Sequence, residues 1–431
     1  MKRTIEKGHT LLVDGPACVN LLAGKVEVFG APLKTGVKIV IRESKRVAFE
    51  AKQKAHFDLM LGEKASVEEF KGSTIPASWE KACNTTLAFE EKPVIVVVMG
   101  EVDSGKTSFC TYLANKALRK ERRVAIIDAD LGQSDIGPPS TIGFSRLTLP
   151  TLDPFLLNAE NAYFIGTTTP NGALNKVIDK LAKMKDEGLK KAVDFLVINT
   201  DGWVVGEEAV QYKLRLAKRI APSVVVGIQQ QNELTPILSA LKGIKVISIE
   251  SPPAIKKRDR EKRKSLRELS YKKYLKGAKV QSFPLSWVKV EGIPFGTGVT
   301  PSERRLEKIR SKLEVNLLYC EETLNLTVVV LEKNQWIDEE QIPNLEEELG
   351  KKVKLIQEGD EQGLLVGLHD EEEKFLGIGI LNKIDYGRHV IQVCTPVTAN
   401  ISSIHVGQVK LDKQGKEIGI SPVFRDYYTS V

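Results

Sequence analysis

Residues Gly100, Glu101, Val102, Asp103, Ser104, Gly105, Lys106 and Thr107, followed by Ser108, carry the glycine and lysine spacing of a phosphate-binding loop. The run before them, "VIVVVM", is apolar and β-branched, and Phe109, Leu113, Ala117 and Leu118 recur at helical spacing after them. The loop therefore joins a strand to a helix, the context such a loop requires. Its amides and the helix N-terminus suit phosphate oxygens, Lys106 reaches the β- and γ-phosphates, and the Thr107 hydroxyl suits Mg²⁺. Residues 100–108 are thus the expected triphosphate site. The loop does not name the acceptor, which could be water, a small molecule or a polymer end.

The stretch "IIDADLGQSD" places Asp128 and Asp130 at the end of an apolar strand, with Gln133 and Asp135 just beyond. In an open parallel sheet, ligands bind at the carboxyl ends of strands, so both aspartates are expected to face the phosphate loop. One can hold Mg²⁺ through water, and the other can accept a proton from an attacking hydroxyl. Histidine is absent between residues 91 and 285, so a carboxylate is the natural base there. Arg263 and Arg267, four residues apart, share one helical face and can clamp a phosphoryl group during transfer. A guanine-reading Asn-Lys-x-Asp motif occurs only as Asn382 to Asp385, and it is expected to be a turn between strands of a C-terminal β-domain. Partition-type ATPases share "IDAD" but carry lysine after the first glycine of the loop, where this chain has Glu101.

These residues need elements to hold them. The 431-residue length suits several domains, and 42% hydrophobic residues can build cores and exclude a disordered chain. Residues 1–90 alternate like strands of a small β-rich domain, "TLLVDG", "KVEVFG" and "VKIVIRE" among them. From 91 to 285, apolar runs at 94–99, 124–129, 162–165, 194–199, 223–227 and 244–249 alternate with helical stretches, which predicts a parallel sheet covered on both faces. Residues 286–431 return to alternation, with one helical insert at "QIPNLEEELGKK", and suggest a second β-rich, barrel-like domain. The fold class is α/β, a P-loop parallel-sheet domain flanked by two smaller β-rich domains. The five cysteines form no C-x-x-C pair, which argues against a zinc-ribbon or disulfide framework. No apolar run spans a membrane and no signal peptide is visible, so a cytoplasmic enzyme with no membrane partner is expected. The net charge of +7 is concentrated between Lys256 and Lys279, where twelve Lys/Arg face three Asp/Glu. That segment suits a polyanion or a phosphoryl group in transfer.

Together, "GEVDSGKTS", "DADLGQSD", "GTTTPNG" at 166–172, "VINTDGW" at 197–203 and the arginine pair at 263 and 267 resemble the polynucleotide 5′-hydroxyl kinase family in order and spacing. That family includes the kinase subunit of the eukaryotic pre-mRNA cleavage factor, ribosomal-RNA-processing kinases and archaeal relatives. The resemblance spans most of the chain and is strongest from 94 to 277. It implies a central kinase domain that transfers the γ-phosphate of ATP, with Mg²⁺, to the 5′-hydroxyl end of RNA, and in some members of DNA. It further implies that Thr169 and Pro170 belong to a clamp on the acceptor end, that Gln133 contacts a nucleic-acid phosphate, and that Trp203 stacks on an end base. Without the resemblance, Trp203 reads as a strand-end core aromatic. Many relatives keep only Asp-x-Gly-Gln, here Asp130 to Gln133. This favours Asp130 for the hydroxyl and the metal shell; Thr107 and Asp128 are also expected at the metal, and the roles of the two aspartates are exchangeable. The other class the loop allows is a nucleotide-switch NTPase of the partition or metal-insertion type that controls a partner.

Overall fold

The apolar runs after residue 93 become strands because both of their faces are buried. In the computed structural model every residue of β1 (Val94–Gly100), β2 (Val124–Ala129) and β5 (Phe195–Thr200) is buried, as expected of a parallel sheet covered on both sides. The sheet is completed by β3 (Thr141–Leu147), β4 (Asn161–Phe164), β6 (Val224–Gln229) and β7 (Lys245–Glu250), in the order β4-β3-β2-β5-β1-β6-β7. Strands β2, β5, β1, β6 and β7 run parallel, whereas β3 pairs antiparallel with β2. The sequence did not suggest β3; it is bounded by turn residues and is followed only by a single 3₁₀ turn at Pro154–Leu156. Helices α1 (Lys106–Leu118), α2 (Leu174–Lys190), α3 (Glu207–Ile220) and α4 (Arg260–Tyr274) accompany the sheet; α1 carries Lys106 and Thr107, and α4 carries Arg263 and Arg267.

The structure describes residues 1–421 apart from 256, 257, 297, 336 and 339. Lys256 and Lys257, the first cations of the basic segment, lie outside the described residues. Two compact units emerge. One joins Met1–Tyr163 to Leu174–Leu266, and the other joins Phe164–Ala173 to the chain from Arg267 onward. Helix α4 spans the division, with Arg263 in the first unit and Arg267 in the second.

The first unit also contains a four-stranded and a five-stranded sheet built from residues before 72, with a shared core that includes Val13, Val19, Phe49 and Phe57. A helix at Ala77–Leu87 follows, and its buried Trp79 packs edge-on against Phe109 of α1 at 5.2 Å. The Trp79 indole donates to the Glu250 carbonyl at 2.8 Å, fixing the far edge of the central sheet to the helix behind the phosphate loop.

In the second unit, one sheet follows the path Lys279–Pro284, Val390–Thr395, Phe375–Asp385, Leu364–His369, Ser403–Leu411 and Lys289–Glu291. A separate three-stranded sheet contains the parallel pair Leu326–Leu331 and Lys352–Gln357, connected through the helix Gln341–Leu349. Among the described residues the sheet paths do not close into a barrel, and a second helix at Glu303–Leu313 joins the expected insert. The Asn382–Asp385 motif is also not a turn. It ends the strand Phe375–Asp385 because Leu381 and Ile384 are drawn into the core, and the turn follows at residues 386–389.

Arg42 ties the N-terminal sheets to the loops of the central domain. Its guanidinium donates to Asp135 and to Asp153, the latter at 3.0 Å, and stacks on Phe155 at 4.1 Å. Lys45 adds a second cation 3.3 Å from Asp153. Burial pushes the Asp153 carboxyl up, but Lys45 and Arg42 outweigh it and hold the group down to about 2. A depressed acid stabilises the fold above its ordinary value of 3.8 and loses that contribution as pH falls toward 2. Asp153→Asn should therefore cost roughly 2 kcal/mol at neutral pH. In urea melts, the gap to the parent should close as pH drops through the 3.8-to-2 window.

Candidate active site at the carboxyl ends of the central strands

Strand register builds this site. In β1, Val98 pairs with Asn199 of β5, and Asn199 in turn pairs with Asp128 of β2. The carboxyl ends of three adjacent parallel strands thus converge, and the phosphate loop leaves β1 at the same level. Asn199 lies between two predicted metal-site residues: its side-chain amide donates to Asp128 Oδ1 at 3.0 Å and to Thr107 Oγ1 at 3.3 Å.

The loop has the backbone its residues demand. Gly105 caps α1 with φ of 102°, where a side chain is strained, and a Cβ there would meet Pro252 at 2.9 Å. Lys106 is buried, and its ammonium donates to the Glu101 carbonyl at 2.8 Å. The Ser104 hydroxyl is buried without a hydrogen-bond partner among the described residues. A buried donor left unmade is costly, and a phosphate oxygen is a partner of the right chemistry to satisfy it. The donor set therefore fits a nucleotide phosphate.

Asp128 is buried and held at both oxygens. Oδ2 accepts from the Asp135 amide at 2.7 Å, and Oδ1 accepts from Asn199 and from the Asp130 amide at 3.2 Å. Burial, reinforced by the charges of Asp130 and Asp135, pushes its carboxyl up to about 7. A site that raises a carboxylate in this way favours a cation beside it. Asp130 is also raised, chiefly by burial, with the Lys106 ammonium opposing. Both of its backbone bonds, from Gly132 and Gln133, fall on Oδ1.

Gln133 and Arg263 meet directly, the Gln133 amide donating to the Arg263 carbonyl at 3.1 Å. The Arg263 guanidinium lies 3.6 Å from Asp103 in the phosphate loop. Asp103 also accepts from the Arg258 amide and guanidinium at 2.8 and 3.2 Å. Arg267 is engaged elsewhere, in a two-pronged salt bridge to Glu417 at 2.6 and 2.8 Å within the second unit. Thr169 and Pro170 belong to that unit too, in the loop after β4, with Thr169 exposed and Pro170 buried.

Trp203 is half-buried, and its ring stacks on Tyr212 at 5.9 Å with the planes 27° apart. Its amide donates to Asp201 Oδ1 at 3.0 Å, and Asp201 Oδ2 accepts from Tyr212 at 2.9 Å and lies 2.9 Å from the Lys213 ammonium. A Cβ on Gly202 would collide with Val102, so this loop presses directly on the phosphate loop. Asn199, Asp201, Lys213 and Arg258 are the residues that sequence reasoning missed. For Asn199 and Asp201 the signal was present, a polar pair closing the otherwise apolar strand "FLVINTD". Lys213 gave none, since a lysine in an amphipathic helix reads as solvated.

Comparisons with known proteins place the chain among P-loop proteins of one family. The family model described as mRNA cleavage and polyadenylation factor CLP1 P-loop matches residues 100–277. A polyribonucleotide 5′-hydroxyl-kinase of Pyrococcus abyssi is 30% identical over 333 residues, covering 76% of this chain and 91% of that protein. The chain belongs to the polyribonucleotide 5′-hydroxyl-kinase family. A family member from Methanocaldococcus jannaschii is 27% identical, with 77% and 90% covered. The solved Clp1p–Pcf11p complex shares the fold, with a TM-score of 0.64 at 14% identity over 95% of this chain and 97% of that one. The α/β fold class and the use of ATP go with membership of this P-loop family. No described helix is long and apolar enough to cross a membrane.

Lys213 is fully buried against Asp201, and burial lowers its pKa. Removing one partner of a buried pair leaves the other uncompensated, at a cost of about 3–5 kcal/mol. Lys213→Met is expected to fall in this range by chemical denaturation. The double variant Lys213→Met/Asp201→Asn should recover part of the loss, and strict additivity would show that the two do not act as a pair.

Proposed function

We propose that this chain is an ATP- and Mg²⁺-dependent kinase of RNA 5′-hydroxyl ends, in keeping with the names of its relatives. The observation that carries the reading is the pair of raised carboxylates, Asp128 and Asp130, set against Lys106 and the phosphate loop. The three-part division into 1–90, 91–285 and 286–431 is part of this reading, with the central part holding the chemistry.

The loop amides, the Ser104 hydroxyl and Lys106 hold the triphosphate. Thr107 and Asp128, aligned by Asn199, hold Mg²⁺, which neutralises phosphate charge when bound. Asp130 orients the RNA 5′-hydroxyl and takes its proton. The 5′-oxygen forms a bond to the γ-phosphorus as the bond from that phosphorus to the β–γ bridging oxygen breaks, and ADP leaves. Elevation of the Asp130 pKa suits a group that must accept a proton late in a loose transition state. Arg263 and Arg267 balance the charge of the transferring group, Gln133 and the Thr169–Pro170 segment position the acceptor strand, and Trp203 offers its free face to the end base. Stacking of this kind contributes about 1–3 kcal/mol per base and tolerates any sequence. The nucleotide-switch alternative draws no support from the relatives, which bear the names of kinases and CLP1 homologues.

Labelling with γ-phosphate-labelled ATP tests the reading. Label should appear on 5′-hydroxyl RNA, whereas label released only as free phosphate would point to the switch. Lys106→Ala should lower the rate roughly 10²–10³-fold, and Arg263→Ala by about 10³-fold or more. Asp130→Ala should lose roughly 10²–10⁴-fold, and full activity in that variant would remove Asp130 from the mechanism.

A further inference from the structure

Four residues that phosphoryl transfer does not use converge at one end of the main sheet of the second unit. His369 closes the strand Leu364–His369, and His405 lies in the neighbouring antiparallel strand Ser403–Leu411. The register pairs Gly367 with His405 and His369 with Ser403. Residues opposite one another share a face, and so do residues two apart, which makes the two imidazoles diagonal neighbours. Their ring centroids are 4.0 Å apart. Glu373 comes from the tight turn that follows His369, held at φ of 58°. Glu291 ends the strand Lys289–Glu291 and pairs with His405 in parallel register.

His405 Nε2 lies 3.4 Å from Glu373 Oε2, 3.4 Å from Glu291 Oε2 and 3.4 Å from Ser403 Oγ. One ligand atom from each of His369, Glu373 and His405 lies within 4.8 Å of the other two. A charge-assisted N–H···O bond is shorter, at about 2.7–2.9 Å. Ligand atoms about 2.0–2.2 Å from a tetrahedral Zn²⁺ are separated from each other by roughly 3.3–3.6 Å. The contacts to His405 have the second spacing. The charge of the metal-bound form also balances, because imidazoles bind a metal in their neutral form and the two carboxylates then match the charge of a dication. His369 is only 3% exposed, so the imidazole end of the cluster is buried while the carboxylates reach it from the half-exposed side.

We propose that His369, His405 and Glu373 bind a zinc ion, with Glu291 beside the remaining coordination position. Two imidazoles and a carboxylate suit a borderline metal such as Zn²⁺ better than Mg²⁺, which prefers an all-oxygen shell with retained waters. The ion ties the strand Leu364–His369, its following turn and the strand Ser403–Leu411 together, and so acts as a staple in the fold. The site stands apart from the kinase reading, and its test does not depend on activity.

The full-length protein, stripped with a chelator, is titrated with Zn²⁺ alone against a chromophoric competitor. One tight equivalent is expected in the parent. Glu373→Gln and His405→Asn should each weaken it by at least roughly tenfold, and zinc should raise the melting temperature of the parent but not of these variants. Glu373 lies in a half-exposed turn, so Glu373→Gln should keep the parent circular-dichroism spectrum even if a histidine variant does not fold. Absence of a tight equivalent in the parent overturns the proposal. So does equal binding by parent and Glu373→Gln, which would place the ion on other ligands such as the cysteines or Asp128.

Discussion

The candidate active site depends on the register of three parallel strands. Once Val98, Asn199 and Asp128 fall in one row, the end of each strand delivers its chemistry to the same place: the phosphate loop, the Asn199 amide and the aspartates. A one-residue slip in a parallel sheet would turn Asn199 and Asp128 to the opposite face. The slip would place Asn199 and Asp128 where buried apolar side chains now pack, leaving polar groups without their partners. Packing in the core therefore sets the distances of a polar site that contributes little to the core itself.

That arrangement concentrates charge where water is scarce. Asp128, Asp130, Asp201, Lys106 and Lys213 all bear on one small region. The cost is contained in two ways. Asp201 and Lys213 neutralise one another and are further bonded by Tyr212, Thr200 and backbone. Asp128 is surrounded by donors and still sits well above its ordinary range. Such a carboxylate is poorly matched to an empty site and better matched to one holding a cation. The stored electrostatic cost is thus relieved when the site is loaded, which is how preorganised sites favour charged ligands over water.

Much of this was legible from residue types. The loop, the paired aspartates and six of the seven central strands follow from periodicity and spacing, since buried strands and phosphate loops leave strong local signals. What escaped was non-local. Strand β3, "TIGFSRL", is antiparallel and mixes polar with apolar residues, so neither a crossover helix nor a continuous apolar run announces it. Lys213 looks like any surface lysine on an amphipathic helix until Asp201 is seen beneath it. Asn382–Asp385 reads as a turn by composition, but core packing of Leu381 and Ile384 extends the strand through it. The partners of Arg263 and Arg267 were equally hidden, because a shared helical face fixes direction and leaves the identity of the facing group open.

Those two arginines frame the last physical question. They lie one turn apart on α4 and each already binds a carboxylate, Asp103 for Arg263 and Glu417 for Arg267. The two bonds differ in strength. The Arg263 contact, at 3.6 Å, is a loose ion pair, and the Arg267 contact is bidentate, only 14% exposed, and raises the guanidinium pKa despite burial. In the proposed reaction, engaging a phosphoryl group requires each guanidinium to exchange one anion for another. Such an exchange is close to balanced in charge, because planar bidentate bonds to carboxylate and to phosphate are of similar kind. On the proposed function, the loose Arg263–Asp103 pair costs less to exchange for a phosphate than the bidentate Arg267–Glu417 pair does.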